Sequence, residues 1–131
     1  MKKLAFCLLF VGILFSCENS DDSTPTPADL NGKWELQSAS CFCFYPEDFD
    51  FSAHKIIFNN DEGTLTIENS SETFFITGAG RYDFQIQNDK VVINNTWEFT
   101  YEIKGDLLIM SFVDNPEIAD DEITLTYKKI D

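Results

Sequence analysis

The chain has 131 residues, a formal net charge of −14, 44% hydrophobic residues and 15% aromatic residues. That length holds one folded domain. A balance this acidic repels nucleic acid and anionic headgroups, so it argues against a nucleic-acid role and leaves membrane attachment to a lipid rather than a basic patch.

Lys2 and Lys3 precede an apolar run from Leu4 to Phe15, and Leu14-Phe15-Ser16-Cys17 follows. A charged start, a short apolar stretch and a small residue at the cut site describe a secretory signal. The run is too short for a membrane span, which takes roughly 20 residues. Its Leu-x-Ser-Cys ending resembles a bacterial lipobox, which implies that residues 1–16 are removed and that Cys17 is lipidated. An ordinary signal peptide cut near Ser16 is the alternative, and the polar stretch directly after the cysteine favours the lipoprotein. Residues 17–29 form the tether. Glu18 to Asp29 has no large apolar residue and carries acids, Ser/Thr and two prolines, a composition unable to build a core. Asp21-Asp22 resembles the surface-export signals of Bacteroidetes-type lipoproteins, with a plain solvated linker as the equal alternative. Asp22-Ser23-Thr24 resembles the short O-glycosylation motif of the same bacteria.

All 23 acids lie after Cys17, and loss of Lys2 and Lys3 leaves seven basic residues, so the mature chain carries −16. Cys7 leaves with the signal, and Cys41 and Cys43 remain. An oxidising compartment permits a bridge between them. On an extended strand the two lie near the long limit for a disulfide, so a bond requires a kinked or looped backbone.

From Trp34 onward the hydrophobic period is two, as in strands with one buried and one wet face. Trp97, Phe99, Tyr101 and Ile103 alternate with Glu98, Thr100 and Glu102. Ile123, Leu125 and Tyr127 alternate with Thr124, Thr126 and Lys128. The segments fall at 33–40, 54–59, 64–69, 73–77, 80–87, 90–94, 96–104, 107–113 and 122–129. Asn88-Asp89 and Gly105-Asp106 read as two-residue hairpin turns, and Asn94-Asn95 as a tight turn or a bulge. A longer loop spans Asp114 to Asp121. Sequential hairpins make an antiparallel up-and-down meander, and a meander of this many strands hides its edges best by closing into a barrel. The prediction is an all-β barrel over residues 30–131, eight-stranded if one of the nine segments is spurious.

Leu30 to Leu36 holds a Gly-x-Trp element, Gly32-Lys33-Trp34. It resembles the first strand of the lipocalin-like domains of small Bacteroidetes-type lipoproteins. Gly80-x-Tyr82-x-Phe84-x-Ile86, Tyr101-x-Ile103-x-Gly105-Asp106-x-Leu108 and Leu125-x-Tyr127-Lys128-Lys129-Ile130 resemble later strands of the same family. The resemblance implies that Gly32 and Trp34 close one end of the barrel, with Lys128 or Lys129 above the indole. The domain is shorter than a typical lipocalin, which leaves less room for a cavity.

Five aromatics (Phe42, Phe44, Tyr45, Phe49 and Phe51) lie within Cys41 to Phe51, where the first long loop of a barrel would meet the mouth. They read either as a plug on the core or as a lid or sticky patch, since clustered exposed aromatics mark binding surfaces. Cys41, Cys43 and His54 lack the spacing of a zinc site, and Asp48, Asp50, Asp120, Asp121 and Glu122 lack an ordered calcium loop, so no metal or other cofactor is expected. One histidine without a nucleophile in recognisable context gives no catalytic arrangement, and the chain is expected not to be an enzyme. Arg81 reads as a surface ion-pair partner more than as an anion clamp.

The expectation is a monomeric, lipid-anchored lipoprotein of the bacterial outer membrane, facing the periplasm or the cell surface. Its leading function is binding of a small apolar or amphipathic ligand at a mouth lined by Trp97, Phe99 and Tyr101 and covered by the aromatic loop. The rival is a filled barrel that meets a protein or glycan through residues 41–51. Sixteen aromatics follow Asp29, and they make a filled core a serious competitor.

Overall fold

The computed structural model describes residues 29–113 and 122–131. The expected signal peptide, the lipidated Cys17, nearly all of the tether and the Asp114 to Asp121 loop lie outside the described residues.

Eight strands follow one another: β1 (Gly32–Ser40), β2 (His54–Asn59), β3 (Thr64–Asn69), β4 (Gly80–Gln87), β5 (Lys90–Ile93), β6 (Trp97–Lys104), β7 (Leu107–Phe112) and β8 (Thr124–Lys129). Each pairs antiparallel with its neighbour in sequence, and β1 pairs with β8, so the sheet closes into an up-and-down barrel. The only other regular element among the described residues is a 3₁₀ turn at Phe51–Ala53.

The turns set the register. Asn94 and Asn95 both have φ of 52°, and the Thr96 amide donates to the Ile93 carbonyl at 3.0 Å, as a type I′ hairpin turn requires. The ninth expected segment, 73–77, is not a strand. Asn69 and Ser71 capture the backbone there: Asn69 Nδ2 donates to the Thr73 carbonyl at 2.7 Å, and the Ser71 amide and hydroxyl both donate to Asn69 Oδ1. Such side-chain bonds give the backbone an alternative to a ladder. The closed wall also leaves no free edge for a ninth strand to join.

Inward positions from every strand form one core, among them Trp34, Leu36, Ile56, Phe58, Leu65, Phe84, Val91, Phe99, Leu108, Met110, Leu125 and Tyr127. Eight strands enclose a space about wide enough for side chains alone to fill. In β1 simple alternation fails at Gln37. The β1–β8 register steps from Leu36 opposite Tyr127 to Ser38 opposite Thr126, so Gln37 is the extra residue of a bulge. The bulge turns Ser38 and Ser40 out of the barrel and sends Ala39 towards the core.

One end is sealed by the first turn of chain. The Trp34 indole N–H donates to the buried Leu30 carbonyl at 2.8 Å, and the Lys129 ammonium stands 5.2 Å from the indole centroid. Lys128, the alternative cation in this role, points the other way. Leu125, Tyr127 and Lys129 share the inner side of β8, which leaves Lys128 on the outer side, 4.0 Å from Asp106. Gly32 has φ of +118°, and a Cβ there would lie 2.5 Å from the Asp131 carbonyl oxygen. Its neighbour Lys33 ties β1 to the residues after β8, donating to Asp131 and accepting from Ile130. Gly32→Ala should therefore lower stability by about 1–3 kcal/mol, read from the urea midpoint. An unchanged midpoint would show that the terminal strap gives way freely.

Candidate functional site

The other end of the barrel is the mouth, where β1 leaves, β2 enters and the 41–53 and 70–79 connections meet. Cys41 and Cys43 form a disulfide with Cα atoms 5.0 Å apart, on a bend just beyond β1. The sequence condition for the bond, a looped backbone, is thus met. The Tyr45 hydroxyl donates to Cys41 Sγ at 3.6 Å, which turns the ring inward behind the bridge. A turn follows, with the Phe49 amide donating to the Pro46 carbonyl at 3.1 Å. Asp50 then caps the 3₁₀ turn, accepting from the Ser52 hydroxyl and amide, and these bonds hold its carboxyl below the ordinary carboxylate range.

These devices divide the five aromatics of the loop. Tyr45, Phe49 and Phe51 fold back and stack at centroid distances of 4.8–5.3 Å. Phe75, from the 70–79 connection, joins them at 6.0 Å from both Tyr45 and Phe51. The four rings plug the mouth. Phe42 and Phe44 go the other way and are 88% and 102% exposed, and Phe74 is 66% exposed beside the buried Phe75. Burial pushes the Tyr45 phenol above its usual pKa.

Beneath the plug sits His54, wholly buried, with its ring centroid 5.2 Å from that of Phe75. Its Nε2 lies 3.1 Å from the Tyr127 hydroxyl, while Nδ1 has no partner. Burial lowers the imidazole pKa to about 4 and raises that of the Tyr127 phenol, so both groups are neutral near pH 7. A sealed, neutral pair of this kind serves packing.

The residues assigned to ligand binding from sequence do not converge on one pocket. Phe99 is a core residue, edge-on to Phe112 at 5.4 Å. Trp97 is half-buried at the rim, with Tyr82 at 6.4 Å. Tyr101 lies lower on the wall, where burial and the Asp89 charge raise its phenol pKa. The eight residues split into core (Phe99), plug (Tyr45, Phe49 and Phe51), exposed patch (Phe42 and Phe44) and half-buried wall (Trp97 and Tyr101). Two features had no counterpart in the sequence reading, namely the Phe74–Phe75 pair and the His54–Tyr127 bond. Glu-Thr-Phe-Phe at 72–75 looks like a strand, and only the Asn69-Ser70-Ser71 turn signal before it hinted otherwise.

Among the described residues no three His, Cys, Asp or Glu side chains stand together as a metal site, and no helix is long and apolar enough to cross a membrane. Asp120 and Asp121 lie outside the described residues. Arg81 pairs with Glu62, the surface role expected of it. No protein-family model matches the chain, and no curated protein matches it.

Proposed function

We propose that the chain is a lipid-anchored envelope module of lipocalin-like build, without catalysis, whose barrel is a solid stand for the aromatic mouth. The observation that carries this reading is the zero exposure of Leu36, Ile56, Leu65, Val91, Leu108, Met110, Leu125 and Tyr127. No water-sized space opens beside any of them, so the wall encloses side chains where a carrier would enclose its ligand. The large apolar surface left over is on the outside, at Phe42, Phe44 and Phe74, and exposed patches of this sort mark interaction sites. Asp29 lies at the closed end, so the expected tether joins the barrel at the end opposite the mouth.

Photo-crosslinking in the native bacterium tests this. A benzophenone side chain at position 42, 44 or 74 should give a discrete adduct with a macromolecule, and one at position 61 or 89, at the closed end, should not. The reading fails if no mouth position gives an adduct, or if all five positions behave alike. Labelled palmitate should enter the wild type and not Cys17→Ala.

A carrier is the second reading, favoured by the unpartnered His54 Nδ1. It would require Phe75 and its neighbours to swing aside, and native mass spectrometry of the purified chain should then show a retained small molecule.

A further inference from the structure

We infer that the mouth is built to receive a basic polypeptide segment carrying apolar side chains, an inference that rests on the interaction reading above. Two independent features of the mouth converge on this chemistry. The first is the exposed aromatic face. Phe44 and Phe74 are exposed chain neighbours of Tyr45 and Phe75, whose rings lie 6.0 Å apart, so both come from backbone at the same plug. Phe42, held between the bridged Cys41 and Cys43, is exposed on the same connection as Phe44.

The second feature is the distribution of charge along the barrel. Residues 41–53, 70–79 and 94–96 contain no Lys or Arg. Glu47, Asp48 and Glu72 are exposed there and make no ion pair among the described residues, whereas Asp50 is spent on Ser52. The bases gather at the opposite end: Lys33, Lys90, Lys104, Lys128 and Lys129 all lie on strand ends around the Trp34 seal. Lys55 and Arg81, nearer the mouth, are engaged by Glu35 and Glu62. One end is therefore a balanced mixture, while at the other, among the described residues, Lys55 and Arg81 are held by Glu35, the Ser52 carbonyl and Glu62, which leaves Glu47, Asp48 and Glu72 as free acid.

Exposed phenyl faces beside free carboxylates suit an ammonium or guanidinium group, which gains from both the ring quadrupole and the charge. The same field speeds the encounter of a cationic partner and repels an anionic one. A second copy of this chain, at −16, and an anionic bilayer are repelled. A neutral glycan would use the rings and leave the carboxylates idle.

The test measures fluorescence anisotropy of labelled peptides against the full chain in zwitterionic detergent. Two amphipathic peptides share length and leucine positions and carry either Lys/Arg or Glu elsewhere, and an oligolysine of the same length serves as a third probe. The basic amphipathic peptide should bind roughly tenfold or more tightly than either other probe. Phe42→Ser/Phe44→Ser/Phe74→Ser and Glu47→Gln/Asp48→Asn/Glu72→Gln should each remove that advantage, while Asp61→Asn/Asp89→Asn at the closed end should leave it intact.

Equal binding of the acidic peptide, equal binding of oligolysine, or an equal effect of closed-end neutralisation would overturn the inference. So would preferential binding of a neutral oligosaccharide or of phosphatidylcholine vesicles. If the crosslinks at positions 42, 44 and 74 persist without a charge preference, the basic partner falls and the interaction reading stands. If the crosslinks also vanish, both fall.

Discussion

Trp34→Ala should destabilise the barrel by about 3–5 kcal/mol, the usual cost of removing a large aromatic from a packed core. Trp34 is 1% exposed and belongs to the central apolar cluster. Three contacts end together. The indole volume leaves a void between the first and last strands. The Leu30 carbonyl, also buried, loses its 2.8 Å donor. Lys129 loses the ring face 5.2 Å beneath it. An unsatisfied buried carbonyl adds to the cavity cost, so the upper half of the range is expected. Whole domains are stable by only about 5–15 kcal/mol, and such a loss leaves the variant marginal. Urea unfolding followed by the emission of Trp97, the one tryptophan left, gives the number. Lys129→Met separates the terms, because it removes the cation alone and should cost under about 1 kcal/mol. A loss below about 1 kcal/mol for Trp34→Ala would mean that the end collapses freely and that Trp34 is not its seal.

Acidification should remove about 3 kcal/mol of stability through His54 alone. Its pKa is about 4 in the folded protein against an ordinary 6.5. Between those values the unfolded chain takes up the proton and the folded chain resists it, so stability falls as pH falls from 6.5 to 4 and levels off below. The difference of about two and a half units corresponds to about 3 kcal/mol. The wall opposes protonation physically, since His54 has no exposure, faces uncharged neighbours in Phe75 and Tyr127, and offers Nδ1 no acceptor. The surplus of surface acids acts in the other sense, because their neutralisation below about pH 5 relieves repulsion. A variant isolates the histidine. His54→Gln keeps a hydrogen-bonding end towards Tyr127 and takes up no proton, so the gap between wild-type and variant urea stabilities should shift by about 3 kcal/mol between pH 7 and pH 4. Parallel curves would show that His54 titrates normally and that the plug does not seal it.

The barrel was legible where one physical rule acted alone. Strands 54–59, 64–69 and 80–87 have the bounds that alternation and turn residues assigned, because each has one wet face and one buried face with a Gly or Asn turn between. Reading failed where a second rule intervened. Thr73 to Thr77 is β-branched and aromatic like a strand, but Asn69 and Ser71 hold the backbone first. Gln37 interrupts β1 without any compositional mark, since a bulge is a property of the pair and only β8 reveals it. Lys128 and Lys129 differ by one residue, and parity counted from Tyr127 selects Lys129 as the cation over Trp34. At the mouth, composition located the aromatic loop and left open which rings turn in. That division depends on Phe75, distant in sequence, and on the Cys41–Cys43 bridge, which turns the chain between Phe42 and Phe44.

The closing pair, β1 with β8, joins the first strand to the last, whereas the other seven pairings join neighbours. Hairpins between neighbours form within microseconds of their synthesis. β1 has no such option on its far side, and its bulged edge waits, with bare amides and carbonyls, until Thr124 to Lys129 has been made. Synthesis of β8 is thus a condition of closing the barrel. A chain stopped before Thr124 would be an open, two-edged sheet with Leu36 and Met110 uncovered, prone to pair with its own kind.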